Sequence, residues 1–489
     1  MAVFDSTIKG SPAWWVKTLS DRLDERSRRY QELEDYDIGN HPMEDVGSSG
    51  KEAVHRFIKK ARANYVSLIN ESVREKIRVY GIRTAADRDE NGDQEAEKLR
   101  HANGLAVGEN LLHHDTVTLG EGYVMVVPDK KIGARISIES ARDTITATDP
   151  TDRRITVAAL KRWIGDDDYV HAVLQLGDKL YYALGNYTPQ SSYSTSKNIV
   201  SVASWTWETA PATNPLGRPS VVRFINRPRT RVVKTSRGYY TDTLAEAEDV
   251  LEDQDRINQQ IYHRLVISAS QAFRQRWIKL GNAVLSDEAE RSLNSDPGAV
   301  WAIQGDVEFG DFSSADIRQI LDAQQEDVKT ISALSRTPPH YLLGGMVNIG
   351  AEALHAAKDG FAGKVRDRCT SIGESWAEVY GMAFELMGLT DRSDASMIEI
   401  IWEPIDPATL AEKADAMVKL SAVLPLVSNL REIGQFSPAA IERILQERDQ
   451  EDFDNAVRQV LNGGSEEESP ESPGGTEPSP PADSGNTAG

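Results

Sequence analysis

The chain has 489 residues, enough for roughly two to four domains with sizeable buried cores. Its 55 lysines and arginines against 76 aspartates and glutamates leave a net charge of −21. That excludes a free-standing phosphate binder, because duplex DNA is held by cations that neutralise phosphates. The single Cys369 excludes an intramolecular disulfide and a Cys-rich zinc site.

No run of about eighteen apolar residues offers a membrane span, and MAVFDSTIKGSPAWWVKTL lacks the apolar core of a signal peptide. A chain that is soluble and intracellular when made is the expectation. Residues 12–34 read as a charged amphipathic helix, broken by Tyr36-Asp37-Ile38-Gly39-Asn40-His41-Pro42. From Asn64, the positions Val66, Ile69, Val73 and Ile77 are spaced for a second helix, which passes into Val79-Tyr80-Gly81-Ile82. A polar loop at 86–97 leads to a helix expected from about Glu95 to Asp115.

Strand signals follow at 122–129, 134–141, 154–164, 169–177, 179–185 and 221–231, rich in β-branched and aromatic residues and separated by Gly, Asp and Pro. They predict an antiparallel sheet domain set among helices, α+β in class. Asp242 to about Ser270 then reads as one long helix of roughly 43 Å. Residues 273–312 are compact and mixed, and 397–407 read as a strand ended by Pro404 and Pro407. The stretch 409–462 is helical throughout, and the tail from Gly463 is too polar to offset its ordering entropy, so it is expected to be disordered.

The most informative stretch runs from Ser313 to Lys364. A helix with Ile317, Ile320, Leu321, Val328, Ile331 and Leu334 at three- and four-residue steps stops at Thr337-Pro338-Pro339. HYLLGGMVNIG follows as a Gly-rich loop, and a second long helix begins at Ala351. Residues 337–368, TPPHYLLGGMVNIGAEALHAAKDGFAGKVRDR, resemble the corresponding stretch of tailed-phage portal proteins of the SPP1-like class. Further matches in the same order are the 36–42 turn, the 64–84 segment and Ile225-Asn226-Arg227-Pro228. Trp402 with Ala414, Asp415, Ala416, Lys419 and Leu420 completes the series.

The resemblance implies a mainly helical α+β portal fold: long stem helices, an antiparallel β-containing wing, a small α/β clip and a helical crown. Mapped onto this chain, the wing is 1–240, the first stem helix 241–272, the clip 273–312 and the second stem helix 313–336. The tunnel loop is 337–350, the long wing helix with its return strand 351–404, the crown 405–462 and an acidic tail 463–489.

It further implies a portal subunit of a phage virion. Such a subunit forms a homo-oligomeric ring, a dodecamer in the family, through which double-stranded DNA passes during packaging and ejection. Its partners are the major capsid protein, the terminase large subunit, a head-to-tail adaptor protein and a scaffold. Assembly takes place in the host cytoplasm. The tunnel-loop residues carried over are His340, Tyr341, Leu342, Leu343, Gly344, Gly345, Met346, Val347 and Asn348, with Lys358 and Lys364 as sparse positive charge on the next helix. Arg274, Arg276, Trp277 and Lys279 form a basic-aromatic patch expected to dock partners at the clip.

Enzymatic motifs are missing. Gly345–Gly350 has Walker A glycine spacing but is followed by Ala351-Glu352 rather than Lys-Ser/Thr. The sequence has no G-x-S-x-G and no H-E-x-x-H. His113-His114-Asp115 reads as a polar helix end, and Glu246, Glu248, Asp249, Glu252 and Asp253 as a solvated helix face. No cofactor, metal or catalytic residue is expected. Another phage-head structural protein, or an enzyme of unrecognised class, remains as the alternative on residues alone.

Overall fold

The computed structural model describes residues 3–41, 60–86, 92–188, 201–234, 240–272, 276–280, 307–311, 316–343, 351–405, 410–434, 436 and 438–462. The chain divides into two units, 1–407 and 408–489.

In the first unit, α1 (Pro12–Asp37) starts where Ser11 accepts the Trp14 amide and Pro12 supplies a first-turn residue that needs no amide donor. It ends at Gly39, whose φ of +77° is left-handed. Helix α2 (Tyr65–Arg74) is capped by Asn64 and leads into β1 (Val79–Arg83). The single helix expected over 95–115 is two, α3 (Gln94–Ala102) and α4 (Leu105–Leu119), because Asn103-Gly104 turns the chain with Gly104 at φ +64°.

Antiparallel strands follow. β2 (Glu121–Asp129) and β3 (Gly133–Glu139) are followed by β4 (Thr144–Thr148), β5 (Thr156–Ile164), β6 (Tyr169–Leu176), β7 (Lys179–Thr188), β8 (Ser201–Trp207) and the short β9 (Ala212–Thr213). β10 (Val221–Ile225) returns to pair with β2, giving a three-stranded sheet ordered β10-β2-β3 beside a six-stranded sheet ordered β4-β5-β6-β7-β8 with β9 on β7. The second sheet buries Ile145, Leu160, Leu174 and Ala183 beneath Val16, Leu19 and Leu23 of α1.

The next segment corrects the sequence reading. Asp242 does not begin a helix: β11 (Arg227–Lys234) pairs with β12 (Tyr240–Leu244), a 3-10 turn covers Glu248–Val250, and α5 runs from Leu251 to Ala272. Its 22 residues span about 33 Å. Thr241 and Thr243 favour the strand, and Glu248 turns back to accept the Ala245 amide at 3.0 Å. A hairpin of β13 (Arg276–Leu280) and β14 (Val307–Asp311) follows, then α6 (Ile317–Ser335), α7 (Pro339–Leu343) and α8 (Ala351–Met387). Strand β15 (Glu399–Trp402) closes the unit by pairing antiparallel with β1.

Helix α8, 37 residues and about 55 Å long, is the spine of this unit. Val365, Cys369, Ile372, Trp376, Tyr380 and Phe384 form its buried stripe against the β10-β2-β3 sheet, α3 and α4. A separate core gathers α1, α2, α5, α6 and α7, with Ile257, Ile261, Val328, Ile331 and Leu342 among its members. The second unit contains α9 (Leu410–Leu420), a turn of π-helix at Asn429–Ile433 and α10 (Pro438–Asn462).

Candidate functional site

Helices α5 and α6 lie side by side and run in opposite directions, joined across their faces by Arg256 and Gln260 to Asp327 at 2.9 and 2.6 Å. The chain therefore leaves the core on α5, passes through the β13–β14 hairpin and returns on α6. Helix α6 ends at Arg336, whose φ of +51° is unusual for a residue with a side chain. Its amide reaches the Ala333 carbonyl, and Thr337 donates to that of Ser332 at 3.0 Å.

Directly beyond that end, α7 replaces what the sequence suggested as the start of a loop. Pro339 occupies its first turn, and Leu342 is 6 % exposed within the α2–α5–α6 core. Leu342 is thus a packing residue, not bulk offered to a passing ligand. Leu343 is half-buried against the same core. Tyr341 stays exposed and meets the Phe361 ring edge-on at 5.7 Å, and the His340 ring lies tilted to it at 4.5 Å. Gly344, Gly345, Met346, Val347 and Asn348 lie outside the described residues. Lys358 is half-buried on α8.

Lys364 does not present a free charge. It is buried, donating to the Ser335 carbonyl at 2.7 Å and pairing with Glu246 at 3.1 Å. Arg368, one turn further along α8, pairs with the same carboxylate at 2.9 Å. Burial pushes Glu246 upward, but Lys364 and Arg368 outweigh it and hold the group at about 2. The arrangement ties three pieces together: the end of α6, the first half of α8 and the segment before α5. These contacts were not legible from spacing.

Glu246 and Glu248 also overturn the solvated-face reading. Glu248 is buried and takes the Arg29 guanidinium through both oxygens at 3.0 and 2.6 Å. Another buried carboxylate, Glu121, was missed altogether. Arg26 pairs with it at 2.7 Å, Arg223 and the Tyr30 hydroxyl also donate to it, and the two cations override burial to hold it at about 2. Nothing in the sequence around Glu121 marks it, since its partners lie on α1 and β10.

His113 and His114 divide by face. His113 is fully buried, bonded to the Ile77 carbonyl and accepting Trp376 Nε1–H at 3.0 Å, and burial pulls it down to about 4. His114 lies beside Asp115 and Asp37, which raise it to about 10. Among the described residues, no group of three or more His, Cys, Asp or Glu side chains is placed to hold a metal, and no helix is long and apolar enough to cross a membrane.

In the hairpin, Trp277 faces Gly310 across the strands, so close that a Cβ at Gly310 would strike the indole at 2.3 Å. Lys279 shares that strand face and pairs with Glu308 at 3.2 Å, which offsets its charge. The backbone of Arg276 pairs with Asp311; Arg274 lies outside the described residues.

Comparison with known proteins gives this architecture a family. The family model described as phage portal protein, SPP1 Gp6-like, matches residues 16–453. The chain belongs to that family, a class of structural phage components rather than enzymes. The portal proteins of Mycobacterium phage D29 and Mycobacterium phage L5 are each 32% identical to it over 111 residues. That stretch is 22% of this chain and 23% of theirs, so the match spans about a quarter of the curated relatives' length. Among solved structures, the neck of an empty GTA particle computed with C6 symmetry and the virion of a native gene transfer agent particle align at TM-score 0.42 and 14% identity. Both alignments cover 83% of this chain and 93% of the other.

Proposed function

We propose that the chain is the repeating subunit of a closed ring of about twelve copies at one vertex of a phage capsid, formed by head-to-tail contacts that close by rotation. Double-stranded DNA passes through the ring during packaging, driven by a separate terminase ATPase, and leaves through it at infection. The shell's major capsid protein, a scaffold, the terminase large subunit and a head-to-tail adaptor dock on its outside, the last two at the β13–β14 hairpin. The subunit is made in the host cytoplasm and ends in the virion.

The portal-family match over residues 16–453 is the observation that carries this reading. The antiparallel α5–α6 pair supports it, because such a pair with a hairpin between its helices suits the lining of a channel. The charge of −21 supports it as well: an acidic collar lets a polyanion slide rather than stick. In sequence, residues 344–350 lie between α7 and α8. In the ring they form a compliant collar that touches duplex without gripping phosphates.

Native mass spectrometry with negative-stain imaging tests the proposal. The expected result is a closed ring of about twelve subunits with an axial hole. A chain that stays monomeric even with shell and scaffold proteins present would sink it.

A further inference from the structure

One cleft in this acidic chain runs against the overall charge. It encloses about 450 Å³ between the start of β11, the 3-10 turn before α5, the end of α6 and one face of α8. Five cationic and three carboxylate side chains line it, a local excess of two positive charges. Lys364 and Arg368 are taken by Glu246, and Arg227 by Asp249 at 2.5 Å. Arg229 and Arg336 remain, both exposed and neither making an ion pair among the described residues.

Arg336 is the informative one. The residue after a helix end with positive φ is the position glycine fills most cheaply, since a Cβ there is strained. Among the described residues only Asp168 shares this conformation without being glycine, and a short polar side chain tolerates it where arginine gains nothing from it. The negative end of α6 does not explain the arginine either, because Lys364 already donates to the Ser335 carbonyl at 2.7 Å. What Arg336 adds is a guanidinium at the cleft mouth, beside the exposed Leu334.

We infer that this cleft receives a carboxylate side chain from a second copy of this chain, gripped by Arg229 and Arg336. The inference rests on the ring reading above and names one contact that closes it. Charge complementarity selects the occupant. With 76 acids to 55 bases, apposed copies repel unless a cationic recess meets an acid of the neighbour. A planar guanidinium takes a carboxylate through two parallel hydrogen bonds. The buried Lys364 with the half-buried Arg368, two cations on the one Glu246 carboxylate, keep the floor of the cleft positive.

The decisive variant is Arg336→Gly, alone and with Arg229→Ala, since glycine relieves the backbone and removes only the side chain. The expected outcome is a chain that melts at or above the wild-type temperature while its ring population falls roughly tenfold or more at matched concentration. Rings that form as readily as wild type, at low and at high salt, overturn the inference and leave the portal reading standing. Failure of the wild type to form rings with shell and scaffold proteins present overturns both.

A second measurement identifies the occupant. Rings assembled from equal amounts of ¹⁴N- and ¹⁵N-labelled R336K chains are treated with a zero-length carbodiimide. Mixed-isotope cross-links from position 336 to an aspartate or glutamate are expected. Cross-links confined to one isotope place the acid in the same chain and refute the contact.

Discussion

Two buried glutamates in this molecule look alike and do different work. Glu121 and Glu246 each sit between two cations, and each is held at about 2 against the pull of burial. The cations of Glu121 come from two elements, Arg26 on α1 and Arg223 on β10. It therefore pins α1 to the sheet. Both cations of Glu246 come from one helix, at positions 364 and 368 of α8, and Lys364 reaches on to the last turn of α6. The first cluster joins α1 to a sheet, whereas the second ties the last turn of α6 and the segment before α5 to the middle of α8. A buried ion pair is weak evidence for stability but a strong device for fixing position.

Glu121→Gln is the harshest test of that distinction. It leaves Arg26 without a carboxylate and Arg223 with Asp242 alone, and is expected to lower stability by about 3–5 kcal/mol, read from urea unfolding. Next, Lys364→Met keeps the bulk and leaves Glu246 with Arg368, for an expected loss of about 2–3 kcal/mol. Its particular signature is faster hydrogen exchange at the amides of α7 and the early turns of α8. Unchanged exchange there would refute the positioning role even if stability fell.

Gly310→Ala crowds Trp277 in the hairpin, with an expected local loss of about 1–3 kcal/mol. Exchange should rise in β13 and β14 while the urea midpoint of the main core holds. If the midpoint shifts as much as for Lys364→Met, the β13–β14 pair and the main core unfold together.

The acid limb compares the two glutamates directly. Both have folded pKa values near 2 against an ordinary 4.5, so their stabilisation is present above about 4.5 and is lost as pH falls toward 2. Glu246→Gln should make the stability–pH slope shallower in that window without abolishing it, because Glu121 still titrates. The smallest effect belongs to His114, raised to about 10 by Asp115 and Asp37. Its contribution is full below about 6.5 and fades as pH climbs toward 10. His114→Gln should flatten that alkaline decline, and an unaltered decline would mean the histidine charge does not couple α4 to α1.

Amino-acid order by itself determined the elements whose signals are local. The stripe of α1, strands β2, β3, β5, β6 and β7, the proline stop after α6 and the start of α8 were readable, because periodicity and turn chemistry act over a few residues. Strands β4, β8 and β9 were not, and 221–231, read as one strand, divides into β10 and the start of β11 in a different sheet. The family was readable too, because its motifs lie in contiguous stretches around 337–368 and 402–420.

Only the tertiary structure decided the fate of the charges and of short ambiguous segments. Glu246 reads as a solvated helix residue until Arg368, 122 positions away, is brought beside it. Lys364 reads as a channel charge until the end of α6 folds over it. Leu342 reads as a loop residue until α2 and α5 cover it, and Thr241–Thr243 reads as helix until β11 arrives to pair. In each case local propensity is worth a fraction of a kcal/mol, and a distant partner that removes the group from water is worth several.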